Sequence, residues 1–228
     1  LERQMGGFGT RAGAGETQIE VDRRIIRKKI SLLKKKLKSI DSERRVQSKK
    51  RKSFFRTSFV GYTNVGKSSL MKSVTKSDVL IRNQLFATLD TTVRRLFIGN
   101  NNYVLLSDTV GFIRNLPDNL IASFKSTLQE VVDSDLLLIV LDANSKDLFN
   151  EIETIKSVLK EINANEIDYK YVFNKIDLVD TDKISYLKQS FPDSLMVSAT
   201  RSLQVSDIKD TIAEKYEEWV SALKNPLH

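Results

Sequence analysis

The chain has 228 residues, with 37 Lys and Arg against 29 Asp and Glu, no cysteine, and one histidine, the terminal His228. Disulfides, thiolate-bound metal and histidine-based catalysis or zinc ligation are thereby excluded, while the length suffices for one medium domain and an appendage. The net charge of +8 is uneven: residues 1–57 carry 18 basic and 6 acidic side chains, so a near-neutral body bears a cationic arm suited to a polyanion such as nucleic acid.

Residues 1–15 read as a glycine-rich loop, with Gly6, Gly7, Gly9, Gly13 and Gly15 surrounding Arg11. Residues 16–55 read as a basic helical arm. Ile19, Ile26, Ile30, Leu33, Leu37 and Ile40 form a heptad seam, and Arg23, Arg24, Arg27, Lys28, Lys29 and Lys34 stand between them. One such helix cannot bury its seam alone. The expectation is a partner helix from a longer protein or a second copy; the alternative is a seat on the globular domain. Arg11, Arg23, Arg24, Arg27 and Lys28 are the candidate RNA contacts.

Residues 56–228 read as an α/β domain in which strands alternate with helices, giving a mixed, mostly parallel six-stranded sheet. A buried strand, Arg56–Val60, leads into Gly61-Tyr62-Thr63-Asn64-Val65-Gly66-Lys67-Ser68, and a helix is expected over Ser68–Lys76. That strand–loop–helix setting is what the pattern G-x-x-x-x-G-K-S requires of a phosphate-binding loop. The glycines let backbone N–H groups turn toward a phosphate chain, and the helix N-terminus adds partial positive charge. Lys67 would reach the β- and γ-phosphates and the Ser68 hydroxyl would ligate Mg²⁺, with Ser69 beside it.

Strands over Val93–Ile98 and Tyr103–Ser107 flank Gly99-Asn100-Asn101-Asn102, a hairpin signal. The second strand runs into Asp108-Thr109-Val110-Gly111, a D-x-x-G pattern whose carboxylate would hold Mg²⁺ and whose Gly111 N–H would sense a γ-phosphate. A helix is expected over Pro117–Val132, a buried strand over Asp135–Leu141 and an amphipathic helix over Leu148–Ile162. The strand Tyr169–Phe173 delivers Asn174-Lys175-Ile176-Asp177, the N-K-x-D pattern. Asp177 would accept from guanine N1–H and its N2 amine together, a donor pair that adenine lacks. A helix over Asp182–Ser190 and a strand over Leu195–Val197 lead to Ser198-Ala199-Thr200, whose backbone amide is a candidate for the base O6. Val205–Leu223 closes the domain, with Trp219 on its packed face. The longest apolar run, Leu136–Leu141, is far too short for a bilayer span, and no signal-peptide core opens the chain, so a soluble cytoplasmic protein is expected.

In this order the motifs resemble those of the Ras-like, translation-factor-related P-loop GTPases. Gly6-Gly7-Phe8-Gly9-Thr10-Arg11, Gly15-Glu16-Thr17-Gln18-Ile19-Glu20, Asp22-Arg23-Arg24, Leu85-Phe86-Ala87-Thr88-Leu89-Asp90 and Asp108-Thr109-Val110-Gly111-Phe112-Ile113 narrow the likeness to the HflX family. The chain departs from that pattern in lacking a proline within Arg11–Gly15 and after Asp90. The resemblance implies a further N-terminal domain, of which Leu1–Met5 would be the last residues, and the arm as its linker. It implies GTP hydrolysis coupled to binding of the large (50S) ribosomal subunit and its rRNA, with ribosome splitting or rescue as the role, by a protein that is cytoplasmic, partly ribosome-associated and monomeric when isolated. Thr88 is the implied switch threonine and Mg²⁺ ligand, with Thr91 and Thr92 as alternatives. Phe112 stands where Ras-like enzymes place a water-orienting glutamine, so slow intrinsic hydrolysis stimulated by the ribosome is expected. Asn64 occupies a position that related GTPases use to help bind K⁺. The rival readings are an RNA-binding module with vestigial hydrolysis and an ATP-driven remodeller of ribosomal RNA.

Overall fold

A computed structural model describes residues 20–36, 39, 53–75, 92–111 and 128–224. The chain divides into two units, Leu1–Lys50 and Arg51–His228. In the first, residues 20–36 are helical (α1), and their apolar side chains, including Val21, Ile25, Ile26, Ile30 and Leu33, are exposed. Arg23, Arg24, Arg27 and Lys28 lie on this helix. The glycine-rich segment with Arg11, and the seam positions Ile19, Leu37 and Ile40, lie outside the described residues.

Among its described residues the second unit has six strands: β1 (Arg56–Val60), β2 (Thr92–Gly99), β3 (Asn102–Asp108), β4 (Leu136–Asp142), β5 (Asp168–Asn174) and β6 (Leu195–Met196). The helices described in it are α2 (Lys67–Thr75), α3 (Gln129–Val132), α4 (Leu148–Glu161), α5 (Thr181–Ser190) and α6 (Val205–Lys224). The sheet order is β2-β3-β1-β4-β5-β6, and every pairing is parallel except β2 with β3. The antiparallel pair arises because its turn places Asn100 and Asn101 at φ 49° and 63°, a left-handed conformation that Asn tolerates.

Burial explains the strand sequences. Leu136–Leu141 of β4 are all 0% exposed, so both faces must be apolar and the strand reads as a continuous run rather than an alternation. Phe59 of β1 and Leu70 and Met71 of α2 are likewise fully buried. Asp135, expected within β4, instead precedes it and fastens the start of β1: its carboxylate accepts from Arg56 N at 2.8 Å, and its own N–H donates to Arg56 O at 2.8 Å. Trp219 packs against the core as anticipated, edge-on to Phe55 with ring centroids 5.7 Å apart. Of the helix expected over Pro117–Val132, only its last turn, Gln129–Val132, falls among the described residues.

The chain leaves β1 to build β3 on one side and β4 on the other. That reversal opens a crevice beyond the carboxyl ends of the strands, the place where open α/β sheets hold ligands.

Candidate functional site

The loop from Gly61 to Gly66 joins the carboxyl end of β1 to α2 at this end of the sheet. A Cβ at Gly61 would strike the Val140 carbonyl, and one at Gly66, where φ is +99°, would strike the Asn174 amide, so both positions demand glycine by close approach. Tyr62 and Val65 are buried, Thr63 is half-buried, and Asn64 is exposed in a left-handed conformation, φ 64°. Helix α2 starts immediately, its first turn closed by Leu70 N donating to Gly66 O at 2.9 Å.

Lys67 is the first residue of α2 and is 6% exposed. Its ammonium folds back over the loop and donates to the Gly61 and Tyr62 carbonyls at 3.0 and 2.8 Å. Burial pulls its pKa down to about 8, against an upward pull from the Asp108 carboxylate. Ser68 Oγ donates to Asp108 Oδ2 at 2.6 Å. Asp108 is the last residue of β3, and the following Thr109 anchors the strand end by donating to Phe59 O at 2.7 Å. A Cβ at Gly111 would lie 2.7 Å from Thr63 Cα and 2.9 Å from Lys67 Nζ, so the D-x-x-G backbone sits directly against the phosphate loop.

On the other side of the crevice Asn174 acts as a clasp. It is 2% exposed; Nδ2 donates to Val65 O at 2.8 Å and Oδ1 accepts from Ala199 N at 3.0 Å. Of the Ser198–Thr200 backbone amides, expected to offer one donor to the base oxygen, that of Ala199 is engaged by Asn174 in this structure. Ser73 of α2 closes the ring by donating to Ala199 O at 3.1 Å. Lys175 is left-handed at φ 65°, and its ammonium meets Asp142 Oδ2 at 2.6 Å. Asp177 is exposed on a single 3-10 turn, Ile176–Leu178. Ser198 is buried, its hydroxyl accepting from Arg201 N at 3.1 Å, and Thr200 is exposed.

Sequence reasoning missed Ser73 and Asp142. Asp142 had a readable signal, as the polar end of an apolar strand in register with Asn174. Ser73 had none, because only the packing of α2 against the Ala199 loop gives it a partner. Thr88, Thr91 and Phe112 lie outside the described residues, while Thr92 opens β2 directly across from Asp108.

Among the described residues no three His, Cys, Asp or Glu side chains cluster as a metal site. Mg²⁺ needs no such cage, since one or two protein oxygens and substrate phosphates suffice. The Ser68 hydroxyl and Asp108 carboxylate, in contact at the lip of the loop beside Lys67, form a hard-oxygen pair that fits this ion.

The family model described as "50S ribosome-binding GTPase" matches residues 56–175, and that described as "GTP-binding GTPase Middle Region" matches residues 1–51. GTPase HflX of Flavobacterium psychrophilum is 54% identical over 177 residues, covering 78% of this chain and 42% of that protein. GTPase HflX of Escherichia coli is 40% identical over 219 residues, covering 94% of this chain and 51% of that protein. The chain therefore spans about half the length of the curated relatives it matches. Among solved structures, a GTP-binding protein from the archaeon Sulfolobus solfataricus in complex with GDP matches with TM-score 0.62 at 26% identity, covering 89% of this chain and 62% of that one. Era of Aquifex aeolicus bound to GDP and AlF4⁻ shares the fold at TM-score 0.58 and 20% identity, covering 70% of this chain and 56% of that one. With a phosphate loop, a D-x-x-G strand end and an N-K-x-D clasp assembled on one sheet edge, and with both family models matched in sequence, the chain belongs to the HflX family of P-loop GTPases.

Proposed function

We propose that this chain binds GTP with Mg²⁺ and hydrolyses it as a switch acting at the large ribosomal subunit, in ribosome splitting or rescue. One observation supports this above the others: Lys67, Ser68 and Asp108 converge at the N-terminus of α2, while Asn174 ties that same loop to the segment facing the base.

The loop's N–H groups and the α2 terminus receive the phosphate chain. Lys67 exchanges its carbonyl partners for β- and γ-phosphate oxygens, a better match for a buried cation. Mg²⁺, held by Ser68, Asp108 and the switch threonine Thr88, would neutralise charge developing on the phosphates. Gly111 N–H stands to detect the γ-phosphate, and Asp177 takes guanine by its paired donors. In hydrolysis a water oxygen bonds the γ-phosphorus as its bond to the β–γ bridging oxygen breaks, releasing GDP and phosphate. Phe112 offers that water no hydrogen bond, so turnover by the isolated protein is slow and the ribosome completes the site. Asn64, exposed at the loop tip, helps hold K⁺ beside the phosphates, and GTP turnover compared in K⁺ and Na⁺ tests that role, equal rates removing it.

The deciding measurement is GTP turnover with and without purified 50S subunits, alongside calorimetric binding of GDP. Stimulation by the subunit is expected. Absence of any guanine nucleotide binding by folded protein would refute the proposal, as would fast turnover indifferent to the subunit.

A further inference from the structure

Away from the nucleotide crevice, the β2–β3 hairpin carries a group of side chains that nucleotide chemistry leaves unexplained. β2 is the outer strand of the sheet, and Arg94, Arg95 and Phe97 on it are exposed, Phe97 by 55%. Phe97 pairs in register with Tyr103, so both rings stand on one face of the hairpin. The Arg95 guanidinium lies 4.8 Å over the Tyr103 ring, which stacks on Phe54 at 5.2 Å between centroids. From α6, Lys209 Nζ comes within 5.8 Å of the Phe97 ring. No carboxylate among the described residues pairs with Arg94, Arg95 or Lys209. In the sequence, Lys49, Lys50, Arg51 and Lys52 lead into Ser53 and Phe54.

Charged residues on an edge strand also keep other strands from pairing with it, and that accounts for Arg94 and Arg95 taken alone. It does not account for an accessible phenylalanine and a stacked Arg–Tyr–Phe ladder on one face. Flat π-faces interleaved with unpaired cations match a polyanion whose bases are free to stack. A duplex keeps its bases stacked internally and would meet only the cations. An acidic protein would use the cations but gain little from aromatic faces aligned with guanidinium planes.

We propose that this hairpin is a docking platform for single-stranded RNA: Phe97 and the Tyr103–Phe54 stack take bases, while Arg95, on the same face of β2, and Lys209 take phosphates. It deepens the ribosomal reading by naming a surface of the GTPase unit, separate from the arm, that touches RNA. β3 runs from this platform directly into Asp108, and Phe97 lies five positions along β2 from Thr92, the partner of Asp108, which is about 17 Å of strand. The platform and the D-x-x-G segment are thus joined by one strand.

The test uses the full chain and a labelled, unstructured RNA of about 10 nucleotides, with a blunt RNA duplex for comparison. Phe97→Ala should weaken single-strand binding by roughly 5- to 150-fold and leave duplex binding nearly unchanged. Arg95→Glu with Lys209→Glu should weaken both and lower the salt slope by about 1 to 2. GDP affinity of the same variants should match the parent's, showing that they fold. Single-strand affinity unaltered by Phe97→Ala overturns the proposal. So does equal loss for single strand and duplex, and so does loss of 50S binding with single-strand binding intact, which would assign the surface to a protein. Failure of the parent to bind GDP would instead strike the GTPase reading, and thermal melts of parent and variants would then supply the folding control for the RNA measurement.

Discussion

Lys67 concentrates the electrostatics of the site in one side chain. Its ammonium is buried against neutral carbonyls and its pKa is lowered to about 8. Below pH 8 the folded and unfolded forms both hold the proton, and the folded form carries a burial penalty on the order of 3 kcal/mol. Between about pH 8 and 10.5 only the unfolded form retains it, so this residue's effect on nucleotide-free stability improves as pH rises through that window. The stability difference between the parent and Lys67→Met, measured by denaturant unfolding across this range, should shift accordingly; a pH-independent difference would contradict the burial argument. A bound polyphosphate restores the proton's partner, so GDP binding near pH 8 should take up a fraction of a proton, visible as buffer-dependent calorimetric enthalpy. At Ser73, removing the hydroxyl frees the Ala199 carbonyl from α2. Ser73→Ala should speed GDP release several-fold, roughly the worth of one hydrogen bond, and Ser73→Thr should restore it. Asp177→Asn should weaken GTP and favour xanthosine triphosphate, the read-out being relative affinity for the two.

At the scale of elements, the phosphate loop and the base-side segment behave as one body because Asn174 bonds both. Asn174→Ala would leave the Val65 carbonyl and Ala199 amide without this partner, a loss of about 1 to 3 kcal/mol apiece if they stay buried. It should therefore cost stability and nucleotide affinity together, whereas Asp177→Asn should cost affinity alone; thermal melts with and without GDP separate the two. The central strands were legible in the sequence because burial on both faces forces an unbroken apolar run, as in Leu136–Leu141. β6 was harder to bound: it extends only over Leu195–Met196, although Val197 still donates to Phe173 O at 2.8 Å. Asp135 illustrates a boundary that composition alone misplaces, since its carboxylate is engaged by the first residue of β1.

For the whole molecule, charge divides the labour. The cations of α1, among them Arg23, Arg24, Arg27 and Lys28, are exposed, and we propose that they meet the phosphate backbone of RNA. Reversing these four to Glu should flatten the salt dependence of RNA binding by about 1 for each phosphate no longer neutralised. Nucleotide affinity should be untouched, as measured by GDP calorimetry. A parallel loss of both would mean that the arm supports the fold of the GTPase unit.

The order of motifs, the alternation of strands and helices and the polarity of the arm were all determined by the sequence alone, because glycine spacing, apolar runs and charge runs are local properties of a chain. The tertiary structure decided what depends on distant segments meeting. Asn174 bridges positions 65 and 199, Ser68 meets Asp108, and Ser73 gains a partner on a loop far along the chain. Such relations have no signature in any short window, since each is set by the sheet order that brings β1, β3, β4 and β5 side by side.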